Sequence, residues 1–261
     1  MEKNKQIPVT FILSTGRTGT QFFAKYLTDS CKNVLCLHEP HPTRRYKWFS
    51  NFYLIGKIPS RFIANRFQKD RKKIVQQLDG KEYVESNNMI FGCIHPIGSA
   101  FETVRVIHII RHPITYIISH LNKGFWNGIK GFTARNIPGW VEFFDEDIRK
   151  SNDPVLILAA RWIYVNRVIQ NYHKDFPYLC FRFEDLFVNP GEKSFQSLNQ
   201  IRSFLNCEAL ENNDNLKWLS KPANQSKKKF SEDWPVQEKH LKYLKENGND
   251  LLVKYGYELD L

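Results

Sequence analysis

The residues best placed to do chemistry lie in Ser14–Phe23, STGRTGTQFF, where Gly16 and Gly19 bracket Arg17, and Thr18, Thr20 and Gln21 supply further donors. Glycines let successive backbone amides converge on one anion, and a helix starting just beyond them adds the positive end of its dipole. Arg17 brings a permanent fork of donors to the same place. The loop departs from a Walker A motif, which needs Gly-Lys-Ser/Thr with the lysine reaching the outer phosphates. Here Gly19 is followed by Thr20 and Gln21, and the cation stands two residues before Gly19. A cofactor with one 5′-phosphate and no triphosphate fits that arrangement better.

A second group able to move a proton is His38-Glu39-Pro40-His41. An imidazole needs little tuning to work near neutrality, so His38 and His41 compete with the Glu39 carboxylate, and all of them compete with a plain polar loop cap. His95 and His112 are read as strand- or helix-edge residues.

The elements that must position these groups are legible from periodicity. Val9–Ser14 is a nearly continuous apolar run, as expected of a strand buried on both faces of a parallel sheet, and Thr20–Thr28 has helical apolar spacing. Further strands are predicted at Asn33–Leu37, Tyr83–Ser86, Val104–Ile110 and Tyr178–Phe183. Thr43–Leu78 reads as basic, aromatic helices broken near Gly56–Pro59. Pro113 suits the first turn of a helix to about Asn122, Asp153-Pro154 opens a long one to about Lys174, and others follow at about 192–205 and 236–255. Alternating strands and helices predict one domain over 1–261 with a three-layer α/β/α, P-loop NTPase-like fold on a parallel sheet of about five strands. The helical segment at about 43–79 is an insertion, and the chemistry falls at the strands' carboxyl ends.

The strand, the Arg-Thr-Gly-Thr turn and the helix together resemble the 5′-phosphosulfate loop of sulfotransferases that use 3′-phosphoadenosine 5′-phosphosulfate (PAPS), closest in motif to the bacterial, carbohydrate and tyrosylprotein branches. That family holds the 3′-phosphate with an arginine at a strand end and a serine eight positions later. VIHIIRHPITYIISHL supplies Arg111 and Ser119 at that spacing. The geometry is sensible, because two helical turns after Pro113 carry Ser119 to a face from which it can share the anion. The resemblance implies that Gly16, Arg17, Thr18, Gly19, Thr20, Gln21, Arg111 and Ser119 bind the cofactor. It also implies that Glu39 is the base, with His41 as a competitor, and that Arg17 stabilises developing charge. FRFEDLFVNP resembles a structural element in which Glu184 and Asp185 pair with basic groups. KPANQSKKKFSEDWP resembles a late loop that brings Asn224 and Lys227 to the nucleotide, with Trp234 as a packing anchor. One departure stands out: relatives place a lysine at the third strand end, where this chain has Glu85-Ser86-Asn87-Asn88. Either Ser86 and Asn87 donate neutral hydrogen bonds there, or a cation enters from 43–73.

Composition bounds these readings. The chain has 261 residues and a formal charge of +11, from 38 basic and 27 acidic side chains, which favours an anionic partner. A nucleotide kinase or other NTPase would need the Walker lysine, and a nucleic-acid-binding protein a recognition motif that is not legible here. Five cysteines at no metal-like spacing read as free thiols of a reducing compartment, and no metal is expected. With neither a signal-peptide pattern nor an apolar run long enough to span a bilayer, the expected location is cytoplasmic. The expected activity is sulfuryl transfer to a hydroxyl or amine of a small-molecule, carbohydrate or lipid-like acceptor, with the 43–73 segment as one wall of its pocket.

Overall fold

The structure is a computed structural model that describes residues 7–124, 131–132, 145–220, 232 and 234–259. Five parallel strands, β1 (Pro8–Leu13), β2 (Val34–His38), β3 (Glu82–Ser86), β4 (Thr103–Ile110) and β5 (Tyr178–Arg182), form one sheet in the order β2-β3-β1-β4-β5. The boundaries lie within a residue of those predicted. The wholly buried run Val9–Leu13 occupies the middle of the sheet, as its lack of polar alternation requires.

Helices cover both faces. On one, α1 (Thr20–Ser30) packs Phe22, Phe23, Tyr26 and Leu27 against Ile12, Val84, Ile107 and Ile109. Leu186 of α8 (Phe183–Phe187) and Leu198 and Ile201 of α9 (Glu192–Phe204) extend the same layer, and α10 (Asn212–Leu219) adds Trp218. On the other face, Val9, Phe11 and Leu13 meet α2 (Arg45–Leu54), α3 (Ser60–Gln76), α4 (Ile94–Gly98) and part of α7 (Pro154–Asn171). A third cluster joins α5 (Pro113–Leu121), α7 and α11 (Glu238–Tyr255), with Trp234 packed against it and short α6 (Glu146–Lys150) contributing Ile148. The segment 43–79 is helical and broken near Gly56 as predicted. The short helices α4, α6, α8 and α10 were not predicted, because elements of one or two turns show too few residues for a period.

The strand order fixes where a ligand can sit. The chain leaves β1 toward one edge of the sheet and β4 toward the other, so the loops after these neighbouring strands diverge and open a crevice between them. That topological switch point is the usual ligand position in open α/β sheets. Among the described residues no helix is long and apolar enough to cross a membrane.

Candidate functional site

The loop after β1 is held in an unusual backbone conformation by its own side chains. Gly16, Arg17 and Gly19 have φ of 90°, 60° and 75°. Left-handed backbone at a residue with a Cβ costs roughly 1–2 kcal/mol, so Arg17 stays there only because neighbours hold it. Ser14 Oγ accepts from the Gly16 amide at 3.0 Å and from the Thr18 hydroxyl at 2.7 Å, pinning the turn from within. A Cβ on Gly16 would lie 2.8 Å from Asn88 Nδ2, and one on Gly19 2.8 Å from the Phe187 ring, so space and torsion both demand glycine. Thr20 starts α1, and its carbonyl accepts from the Ser86 hydroxyl at 2.9 Å. Thr18 and Thr20 are buried and Gln21 is exposed on the first helical turn. Because the Thr18 hydroxyl is spent on Ser14, that residue has its backbone amide to offer a ligand.

Across the crevice, Arg111 follows β4. Its Nη1 donates to the Arg17 carbonyl at 2.7 Å, its Nε to Thr115 Oγ1 at 3.1 Å, and its guanidinium lies 4.3 Å from the Phe183 ring centroid. Arg17 Nε in turn donates to Ser119 Oγ at 3.1 Å. Arg17, Arg111 and Ser119 thus form one contact group. Two further bonds fix the start of α5: the Trp162 indole donates to the Arg111 carbonyl at 2.7 Å, and the His112 amide to Glu184 at 2.9 Å. Burial pulls both guanidinium groups below the ordinary arginine value; for Arg111, Glu184 opposes the shift and Arg17 reinforces it. Two half-buried, mutually repelling cations make this crevice receptive to an anion.

The proton-accepting candidates, at the end of β2, sit two strands away from β1. Glu39 follows β2 with φ 43°, and its amide donates to the Ser86 carbonyl at 3.1 Å. Burial raises its pKa, His38 and Arg44 oppose the rise, and Glu85 adds to it. His38 is committed to the Ser86 carbonyl through Nδ1 at 3.2 Å, and His41 is exposed.

The third strand end departs from one half of an expectation. Ser86 and Asn87 are fully buried, and their side chains serve the Thr20 carbonyl, Thr43 and Glu85, so neither faces the crevice as a donor. Glu85 is paired bidentately with Arg71 of α3 at 2.8 Å and also accepts from Tyr83 and Asn87. Asn87 Oδ1 then accepts from the Met89 amide at 2.8 Å, turning the chain so that Asn88 meets Gly16. A cation does enter from the basic segment: Lys47 of α2 is only 7% exposed and acts electrostatically on His120 of α5, as do Arg17, Arg111 and Arg161 of α7.

Glu184 also departs from expectation, accepting from the His112 amide and the Tyr257 hydroxyl rather than from a basic side chain, while Asp185 lies 3.9 Å from Arg182. Asn224 and Lys227 fall outside the described residues. Lys47, Asn88, His120 and Arg161 were not singled out from sequence. Lys47 had a signal, in the basic segment named as an alternative source of charge; the other three had none, since their significance arises only where strand ends and helices meet.

No family model matches the sequence, and no curated protein is similar to it. Solved structures are similar in fold. The sulfotransferase domain from the Synechococcus PCC 7002 olefin synthase has a TM-score of 0.56 at 17% identity, over 100% of this chain and 98% of that one. A sulfotransferase from Alicyclobacillus acidocaldarius has a TM-score of 0.56 at 13% identity, over 97% of each chain. The mouse sulfotransferase SULT7A1 complexed with PAP has a TM-score of 0.52 at 11% identity, over 96% of this chain and 86% of that one. With its central parallel sheet layered between helices and a phosphate-type loop at the switch point, the chain has the P-loop-like fold of the sulfotransferases.

Proposed function

We propose that the protein is a sulfotransferase that takes its sulfuryl group from PAPS, passes it to a hydroxyl or amine, and releases 3′,5′-ADP. The observation carrying this reading is the contact group at the switch point, where Arg17 of one strand-to-helix loop touches both Ser119 and the Arg111 of the next. Two cationic cradles that share a boundary suit a ligand with phosphates on opposite sides of one ribose. A mononucleotide with a single phosphate group would leave one cradle unused. The solved relative holding PAP adds support from the fold.

In this reading the loop amides and Arg17 take the 5′-phosphosulfate, and Arg111 with Ser119 takes the 3′-phosphate. As the sulfur–oxygen bond to the 5′-phosphate breaks, negative charge grows on that phosphate, where Arg17 and the preorganised amides of the Gly16–Gln21 turn stabilise it. Glu39 is a candidate for receiving the acceptor's proton, and its raised pKa strengthens it as a base. Asn224 and Lys227 remain candidates for the nucleotide's outer side. No metal is required, because the leaving group is a phosphate already matched by guanidinium and amide donors. In this reading the 43–73 segment supplies one wall of the site for a small-molecule, carbohydrate or lipid-like acceptor.

The test is transfer of label from radiolabelled PAPS to a panel of phenols, sugars and amines, beside Arg17→Ala as control. Wild type should label at least one class, and the variant should lose about 10²–10³-fold in rate, the usual cost of removing a transition-state donor. Label transfer from ATP in the presence of magnesium, with none from PAPS, would overturn the assignment.

A further inference from the structure

Between the two cradles lies a set of polar atoms that neither cradle uses. His120 Nε2, Asn88 Oδ1 and Thr15 Oγ1 are buried without a hydrogen-bond partner among the described residues. The Asn88 and His120 side chains both lie against Gly16: a Cβ built there would be 2.8 Å from Asn88 Nδ2 and 3.7 Å from His120 Nε2, and Thr15 is the preceding residue. Leaving a donor or acceptor buried and unmet costs about 1–3 kcal/mol each, so a cluster of three at a ligand crevice points to something that binds there. The imidazole is aimed by packing, with the Tyr116 ring centroid 4.5 Å away one turn earlier on α5.

We infer that His120 is the catalytic base of the transfer, taking the acceptor's proton on Nε2, with the Asn88 amide beside it orienting the acceptor; this rests on the PAPS reading above. The acceptor oxygen or nitrogen bonds to sulfur, the bond from sulfur to the 5′-phosphate oxygen breaks, and its electron pair stays on that phosphate. The acceptor's proton passes to His120 and then to solvent.

Position favours His120 over Glu39. The β3 strand lies between β2 and β1, so a residue following β2 stands two strand spacings, about 10 Å, from the loop after β1. His120 stands against the loop itself. Its electrical surroundings agree. The charged groups that act on it are all cations, Arg161 of α7, Arg17 of the loop, Lys47 of α2 and Arg111 at the end of β4, and the Tyr116 ring of its own helix packs against it. Burial first, and then these cations, hold the free imidazole uncharged well below its ordinary pKa. A bound bisphosphate screens those cations and restores basicity, so the base is fully competent only once the donor has docked.

The experiment compares wild type with His120→Gln, His120→Asn and Glu39→Gln, using radiolabelled PAPS with p-nitrophenol and with water alone as acceptors, and 3′,5′-ADP binding by calorimetry. Both His120 variants should keep 3′,5′-ADP affinity within about threefold and lose about 10²–10⁴-fold in kcat, the range expected for a general base. The acid limb of the wild-type kcat profile should vanish in them, and added imidazole should restore part of the rate. Glu39→Gln, which removes the competing candidate base, should lose less rate than either His120 variant. Retained turnover in the His120 variants with intact 3′,5′-ADP binding overturns the role of His120 alone. So does turnover lost only in Glu39→Gln. Wild type that binds no 3′,5′-ADP overturns the donor reading, and the role of His120 falls with it.

Discussion

Gly19 is a residue whose two constraints can be separated by experiment. Its φ of 75° disfavours any side chain, and a Cβ would press within 2.8 Å of the Phe187 ring. Gly19→Ala should therefore destabilise the fold by about 1–3 kcal/mol in denaturant unfolding. Adding Phe187→Leu should recover the steric share and leave the torsional share. The glycines, Arg17, Arg111 and Ser119 were legible because their signal is local: residue types at fixed spacing beside an apolar run. His120 and Asn88 were not, because nothing in NNM or SHL marks them until β3 and α5 are packed against the same loop. The polar end of β3 misled for a related reason: Ser86 and Asn87 look available in a linear reading, yet the buried Glu85 and the Thr20 carbonyl claim them.

Elements hold these residues in place through a few buried polar contacts rather than through the sheet alone. Arg71 of α3 and Glu85 of β3 are both fully buried, and burial, which lowers the arginine's pKa, is outweighed by the Glu85 pairing, so the net shift is upward. Removing one partner of such a pair strands the other, at about 3–5 kcal/mol. Glu85→Gln should lower the melting temperature by about 10 °C for a chain of this size, and it should also impair catalysis, because Asn87 loses an anchor for the turn that delivers Asn88. An unchanged melting temperature would show that the pair contributes nothing net. Strands and long helices were readable to within a few residues because each carries its own period. The one- and two-turn helices α4, α8 and α10 carry none and are formed by tertiary packing; Leu186, Asn215 and Trp218 make sense only against α1.

At the scale of the whole molecule, the sheet order sets both stability and function. His108 in β4 is fully buried, with Tyr178 at 2.7 Å and Asn166 at 2.9 Å, and burial, partly offset by Asn166, lowers its pKa from 6.5 to about 4. An unfolded chain takes up that proton near 6.5 while the fold refuses it until about 4, so stability falls as pH drops through this window and levels off below it. The loss from this residue is about 2 kcal/mol, read as unfolding free energy at pH 7 against pH 4.5, and His108→Gln should flatten the slope. The parallel α/β class followed from alternation of strands and helices, but the placement of β1 beside β4 did not, and that adjacency is what joins the two loops into one crevice. The account stands or falls on a calorimetric comparison of 3′,5′-ADP and 5′-AMP, without magnesium, on wild type and Arg111→Ala. It predicts that wild type prefers 3′,5′-ADP by at least about tenfold, the worth of one charge-assisted phosphate contact, and that the preference collapses in the variant. Equal affinity of wild type for the two nucleotides, or a preference untouched by Arg111→Ala, would contradict it.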